Sequence, residues 1–369
     1  MSMHRNELEA FWKDNAEALR LGSAAKIVPV DLPLPGDWVC EVMRADMERY
    51  YLEYDYQQEI RKRCSDLTME ELGCTVEPDI DFGVVMDASI YGGQVHYEST
   101  ATPTLTPVVQ EPEQLDDLVE MMDAIDDNSL LERGLIPKMM EWRSRIAQDY
   151  GICLTYGTSM KGCATMMGQI CGLTNFLMWI LTDPEPMGRL IDCWGRTSQR
   201  YIKALRKATG TSDDSTGFAF QSDVTGMLSN DMYTEFIKRH EHTMYCLFAP
   251  RKDDARYYHA DYYMKHILPS LKEMGVNQVN IDPYIDCSAI LQQLPECIIY
   301  GQIPPTSVLL YGSSEDVANC VRRDIDHAGP GHHLIVSTAG SINPGTSFNH
   351  LRTIVETARD YGRIYDNHL

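Results

Sequence analysis

The feature that most constrains this chain is a regular alternation in its second half. Short apolar runs are separated by longer stretches of helical period. Ile152-Cys153-Leu154-Thr155-Tyr156, Gly217–Gln221, Arg256–His259, Val276–Ile281, Ile298–Gly301 and His333–Ser337 read as strands. Residues 129–149, 163–181, 183–208, 231–247, 262–274, 313–328 and 347–361 read as helices between them. A helix between two strands returns the chain to the same end of a sheet, so neighbouring strands run parallel. About six to eight such units fit the α/β class, as a single (β/α)8 TIM barrel rather than a doubly wound sheet. No G-x-G-x-x-G follows a strand and no P-loop is present, so neither a dinucleotide nor a nucleotide phosphate has a cradle.

Local punctuation supports these limits. Asp183-Pro184-Glu185-Pro186 puts acidic residues and proline in a first helical turn, Ser229 or Asn230 can cap the next helix, and Gly275 suits a helix end. The first half is less regular. Residues 1–22 read as an amphipathic helix, Ile27–Val30 as a short buried strand, and 37–71 as helical. Phe82-Gly83-Val84-Val85 and Gln94-Val95-His96-Tyr97 read as extended. The expected organisation is an N-terminal helical extension over 1–25 and one barrel over 26–369.

Composition narrows the partners. Lys plus Arg is 32 and Asp plus Glu is 54, a formal charge of −22. A phosphate backbone needs a basic footprint, so nucleic acid is excluded. No run of about 18 apolar residues occurs, so no membrane span is expected, and the polar start MSMHRNELEAFWKD is not a signal peptide. The 11 cysteines are odd in number and form no C-x-x-C pair, which argues against a disulfide framework or a zinc ribbon. The expected location is a reducing cytoplasm, and 20 methionines beside those thiols suit an anaerobic host, although core packing also accounts for them.

In a barrel of this kind the site lies where strands end at the C-terminal face. The polar residues at those ends are Asp87, then Gln221-Ser222-Asp223, then His259 and Asp261, then Asp282. His259-Ala260-Asp261 is the sharpest pair, because residues i and i+2 of an extended segment face the same side. A histidine and a carboxylate converging there suit proton transfer or metal ligation. An aspartate that merely orients a buried histidine, or caps a helix, would leave the same pattern. Tyr156, Tyr257 and Tyr258 could line an apolar pocket or belong to the core. His240-Glu241-His242 lies within a helix, where i and i+2 diverge, so no shared metal is expected.

Several stretches resemble the uroporphyrinogen decarboxylase superfamily. They are Asp183-Pro184-Glu185; Ser222-Asp223 through Gly226-Met227-Leu228-Ser229 and Tyr233-Thr234-Glu235-Phe236; and Tyr258-His259-Ala260-Asp261 with Leu268-Pro269-Ser270-Leu271 and Glu273-Met274-Gly275-Val276. Leu309 to Val317, Ile335-Val336-Ser337-Thr338 and Pro344-Gly345-Thr346 complete a likeness spanning roughly 75–362. The resemblance implies a (β/α)8 barrel and one of two activities, decarboxylation of uroporphyrinogen III or cobalamin-dependent methyl transfer. Decarboxylases of the family carry an Arg-rich N-terminal motif; here Arg44 and Arg49 stand among acidic residues, and an acidic chain suits a polycarboxylate poorly. Thiol-methylating relatives hold zinc with His-x-Cys and a later Cys; the matching positions here are His259, Asp261 and Gly340.

The resemblance therefore implies a corrinoid-dependent methyltransferase. It would act as a demethylase, moving a methyl group from a small O-methyl or N-methyl donor, such as an aryl methyl ether, to the cobalt of a corrinoid carried by a partner corrinoid protein. His259, Asp261 and Asp223 are the expected catalytic residues, with His259 and Asp261 as metal ligands if zinc is used. Asp87, Gln221, Tyr156, Tyr257 and Asp282 are the expected substrate contacts. Uroporphyrinogen decarboxylation, methylcorrinoid:thiol methyl transfer and non-catalytic corrinoid or methyl-donor binding stay open as alternatives, as does a homodimer.

Overall fold

The computed structural model describes residues 5–22, 25–212, 214 and 217–363. Two strands precede the main sheet: β1 (Val95–Glu98) and β2 (Ala101–Leu105) pair as an antiparallel hairpin. Six more follow, namely β3 (Ser159–Lys161), β4 (Gly217–Gln221), β5 (Ala255–Ala260), β6 (Gln278–Ile281), β7 (Ile298–Tyr300) and β8 (Leu334–Ile335). They form one parallel sheet in chain order, β3-β4-β5-β6-β7-β8. Just past β8, Val336 forms a parallel bridge with Val30, so the Ile27–Val30 segment continues the wall as a further stave.

Strand order that follows chain order, with a helix after each strand, is the (β/α) barrel arrangement. The outer residues Phe218, Phe220, Tyr258, Val279 and Ile299 are buried beneath the helices. The helix ring also covers the side where strand pairing is absent. Arg189, Arg196 and Arg200 of helix Pro184–Thr209 pair with Asp116, Asp123 and Asp127, each 73 residues earlier. A constant offset means that the two stretches run in the same direction, as neighbouring helices around a barrel must.

Several local expectations are corrected. Phe82–Val85 is a turn leading into the short helix Met86–Ser89, not a strand. Gly83 sits at φ +68°, and a Cβ there would lie 2.9 Å from Pro103. Hydrogen bonding therefore does not close the wall on this side among the described residues. At the open edge the Asp87 carboxylate substitutes for a strand, accepting the Lys161 N–H at 2.9 Å. Gln94–Tyr97 is extended, but it belongs to the hairpin. Regular pairing after residue 150 begins at Ser159, not Ile152. The Leu154 and Tyr156 carbonyls are already taken by the Arg143 guanidinium and the Thr211 hydroxyl, both at 2.6 Å.

Helical stretches divide where the backbone demands it. The 163–181 stretch breaks at Gly172 (φ +82°) into Cys163–Cys171 and Leu173–Thr182, bent by 105°. No single described helix is long and apolar enough to cross a membrane. The 231–247 stretch becomes Asn230–Met232, capped by the Ser229 hydroxyl, then a π-helical turn Tyr233–Ile237, then Lys238–Phe248. The 37–71 stretch is three helices, and 262–274 is regular only over Leu268–Glu273, before Gly275 at φ +72°.

At the amino end the helix is Arg5–Leu21; residues 1–4 and 23–24 of the expected extension lie outside the described residues. This helix buries Leu8 and Phe11 in the same core as the barrel. Asn15 clamps the first stave, its amide donating to the Val30 carbonyl at 2.9 Å and its carbonyl accepting the Val30 N–H at 2.7 Å.

Candidate active site

Register across the sheet builds the site. Lys161 pairs with Gln221, Gln221 with His259, and His259 with Asn280. Four adjacent parallel strands thus present a lysine, a glutamine, a histidine and an asparagine at one level. Adjacent strands lie about 4.8 Å apart, so the row is compact enough for one small ligand to span. It stands at the carboxyl ends of these strands, where barrel sites form.

His259 is the centre. Its Nε2 lies 3.4 Å from Asp223 Oδ1 and 3.4 Å from Asp261 Oδ1. Asp261 reaches it because it stands two residues on, just past the end of β5. Asp223 reaches it because Ser222 continues the ladder, its N–H donating to the His259 carbonyl at 2.7 Å. Asp223 then opens the 3-10 turn Asp223–Met227, and its Oδ1 accepts the Asp261 N–H at 3.2 Å. One ligand atom from each of the three side chains lies within 4.8 Å of the others, a spacing that can hold a metal ion. The close packing pushes the Asp261 pKa up; His259 pulls it down and the Asp223 carboxylate pushes it further up.

The far side of the imidazole fixes its proton. His259 Nδ1 is 2.8 Å from Asn280 Oδ1. The Asn280 amide nitrogen donates to the Tyr300 carbonyl at 2.5 Å and the Thr338 carbonyl at 2.8 Å. Its oxygen must therefore be the acceptor, for the Gly340 N–H at 2.9 Å as well as for His259. Nδ1 then carries the hydrogen, and in the neutral ring Nε2 turns a lone pair toward the two carboxylates. A second residue that orients a ligating histidine in this way is the usual arrangement at metal centres.

Gly340 stands beside the cluster with φ +99°, and a Cβ there would lie 2.4 Å from Asp261 Oδ1. No side chain fits at this position while the Asp261 carboxylate keeps its place. None of the eleven cysteines belongs to the cluster.

Two cavities flank it. One, of about 400 Å3, is lined by Asp87, Tyr156, Lys161 and Gln221 among others. The other, of about 370 Å3, is lined by Asp261, Tyr284 and Gly340 among others. The structure thus brings Asp87, Gln221 and Tyr156 to one cavity wall. Burial pushes the Asp87 pKa up, against the Lys161 N–H and ammonium. The Tyr156 hydroxyl is buried without a hydrogen-bond partner. Tyr257 packs edge-on against Tyr300 instead, with ring centres 5.4 Å apart. Both Asp282 oxygens are occupied by backbone, accepting from Met264 N–H at 2.9 Å and Tyr284 N–H at 3.0 Å. Arg49 is paired with Glu53, and Arg44 lines a separate cavity with Asp37 and Glu41.

Sequence reasoning missed Lys161, Asn280 and Glu241. Lys161 ends a strand that was expected five residues earlier. Asn280 sits in an apolar run that reads as core. Glu241 is fully buried, and sequence reasoning takes it only as part of the run His240-Glu241-His242, where no shared metal is expected.

The profile of the family described as Uroporphyrinogen decarboxylase (URO-D) matches residues 79–361. The chain is 22% identical over 288 residues to a methylated-thiol--coenzyme M methyltransferase of Methanosarcina mazei, covering 76% of this chain and 71% of that protein. It is 22% identical over 349 residues to the methylcobamide:CoM methyltransferase MtbA of Methanosarcina acetivorans, covering 93% and 97%. Among solved structures it resembles a methyltransferase from Methanosarcina mazei with a TM-score of 0.69 at 15% identity, covering 94% of this chain and 98% of that one, a likeness of fold.

Proposed function

Because this chain belongs to the uroporphyrinogen decarboxylase family, we propose that it is a methyltransferase that works with a corrinoid protein and removes a methyl group from a small O-methyl or N-methyl donor. The relative named for methylcobamide supports corrinoid-linked transfer. The observation that carries the finer reading is the makeup of the cluster: one imidazole lone pair and two carboxylates, with no thiolate. Such a set suits a divalent ion with oxygen and nitrogen ligands. Zinc bound there would act as a Lewis acid on the heteroatom that loses its methyl group.

The chain's own residues do the rest. When the methyl carbon leaves, the bonding electron pair stays on the donor's oxygen or nitrogen, which must be stabilised. In its neutral form His259 has no proton at Nε2 to deliver, so its part is that of a ligand, held by Asn280. Asp223 and Asp261 complete the set. Asp87, Lys161 and Gln221 line the adjoining cavity and orient the donor toward it.

The alternatives fare less well. Decarboxylation of a polycarboxylate calls for clustered arginines, yet among the described residues Lys161 is the one cation lining either flanking cavity. Thiol activation, which the relatives' names favour, calls for the soft ligands that Asp261 and Gly340 replace.

The test mixes the enzyme with a reduced corrinoid protein and a panel of methyl ethers, methylamines and methyl thioethers, following corrinoid absorbance. Methylation of the corrinoid from an ether or amine, lost in His259→Ala, is the expected result. Turnover from thioethers alone, or none at all, overturns the reading.

A further inference from the structure

Glu241 is a carboxyl with no exposure at all, on helix Lys238–Phe248. Burying it without partners would be costly, and the structure supplies donors on every side. Oε2 accepts from the Tyr233 hydroxyl at 2.8 Å and the Tyr258 hydroxyl at 3.1 Å. Oε1 accepts the Cys163 N–H at 3.0 Å, the first amide of helix Cys163–Cys171. The Ser222 hydroxyl stands close enough to favour the carboxyl's charged form. The approach is close enough to demand glycine at 162, where a Cβ would fall 2.8 Å from Oε1 and 2.2 Å from the Ser222 hydroxyl.

The partners are not scattered. Tyr258 immediately precedes His259, Ser222 immediately precedes Asp223, and Cys163 follows Lys161 by two residues. Tyr258 and Ser222 also meet at the Thr225 hydroxyl, at 3.0 and 2.7 Å, which binds the turn opened by Asp223. Tyr258 lies on the outer face of β5 and His259 on the inner face, since alternate residues of a strand point oppositely. The carboxyl therefore sits behind the wall against residues that adjoin those of β3, β4 and β5 forming the site.

We propose that Glu241 is the positioning residue of this site: its buried carboxyl ties β3, β4 and β5 together and so sets Lys161, Asp223 and His259 relative to one another. The proposal rests on the functional reading above only for what those three residues then do. Tyr233 provides an internal control, because it touches the carboxyl but carries no strand end.

Amide hydrogen exchange of the full chain tests it, comparing the wild type with Glu241→Gln and Tyr233→Phe. In Glu241→Gln, above pH 7 where the wild-type carboxyl is ionised, exchange should rise about tenfold or more in segments 159–163, 221–225 and 257–261 together, the size expected for losing a hydrogen bond to a charged group. In Tyr233→Phe those segments should stay near wild type. Co2+ titration should show a matching loss of affinity in Glu241→Gln and not in Tyr233→Phe. If exchange rises evenly over the whole chain, only around 238–248, or equally in both variants, Glu241 is ordinary packing and the proposal falls. If Glu241→Gln does not fold, Tyr258→Phe takes its place, with faster exchange at 221–225 and 257–261 expected and wild-type exchange there overturning the proposal. A wild-type protein that binds no Co2+ would sink the metal reading of the cluster, while the exchange comparison still decides the role of Glu241.

Discussion

His259 Nδ1 lies 2.8 Å from Asn280 Oδ1, and this contact decides which ring nitrogen faces the two carboxylates. Asn280 acts at a distance from the cluster, through the proton it fixes. Replacing it with alanine frees the ring to rotate and to exchange tautomers. Metal affinity, measured by Co2+ or Zn2+ titration, should fall about 10- to 100-fold in Asn280→Ala. Asn280→Asp keeps an acceptor for Nδ1 and should lose less. Unchanged affinity in Asn280→Ala would show that the ring is held by other means.

Gly340 should tolerate no replacement. Its φ of +99° is strained for any side chain, and the added methyl would collide with Asp261 Oδ1. Gly340→Ala should lower stability by about 1–3 kcal/mol in denaturant unfolding. It should also weaken Co2+ binding, because the carboxyl must swing away. A variant that binds the ion as tightly as wild type would mean that Asp261 is not a ligand.

Burial lifts the Glu241 pKa from 4.5 to about 7. Between those values the folded protein holds a proton that the unfolded chain has released. Stability contributed by this group therefore falls as pH rises through that window and is level above it. Glu241→Gln has no such proton. The wild type's stability relative to this variant should shrink steadily from about pH 4.5 to about pH 7 and then stay constant. Parallel stability curves across that range would show that Glu241 titrates normally.

The three arginine–aspartate pairs between helix Pro184–Thr209 and residues 116–127 are solvent-facing. Exposed pairs of this kind are worth about 0–1 kcal/mol each. Arg196→Ala should thus cost no more than about 1 kcal/mol, less in high salt, and leave methyl transfer unchanged. A larger loss would mean that the pairs act as one network.

Much of the barrel was legible because its signals are local. The Ser229 cap, the proline-started helix at Pro184 and the left-handed Gly275 each depend on a few neighbouring residues, and each stands where its pattern puts it. Elements decided by distant partners went astray. Phe82–Val85 has a strand's composition, yet Pro103 and the Gly83 backbone hold it as a turn. Ile152–Tyr156 lost its ladder to the side chains of Arg143, on a helix, and Thr211, just past the end of another.

The site divides along the same line. The i, i+2 spacing of an extended segment by itself pointed His259 and Asp261 to one side, and the chain keeps that direction one residue past the end of β5. Only the tertiary structure decided that Asp223 joins them, because its approach comes from the register of β4 against β5. Register likewise made an apolar-looking Asn280 the partner of His259, and put Lys161 in the same row. It also turned Glu241 inward, where the run His240-Glu241-His242 offers no hint of burial. Periodicity reports which side of its own element a residue takes; what it meets there is set by the neighbouring strand or helix, and in a parallel barrel that neighbour is always far away in the chain.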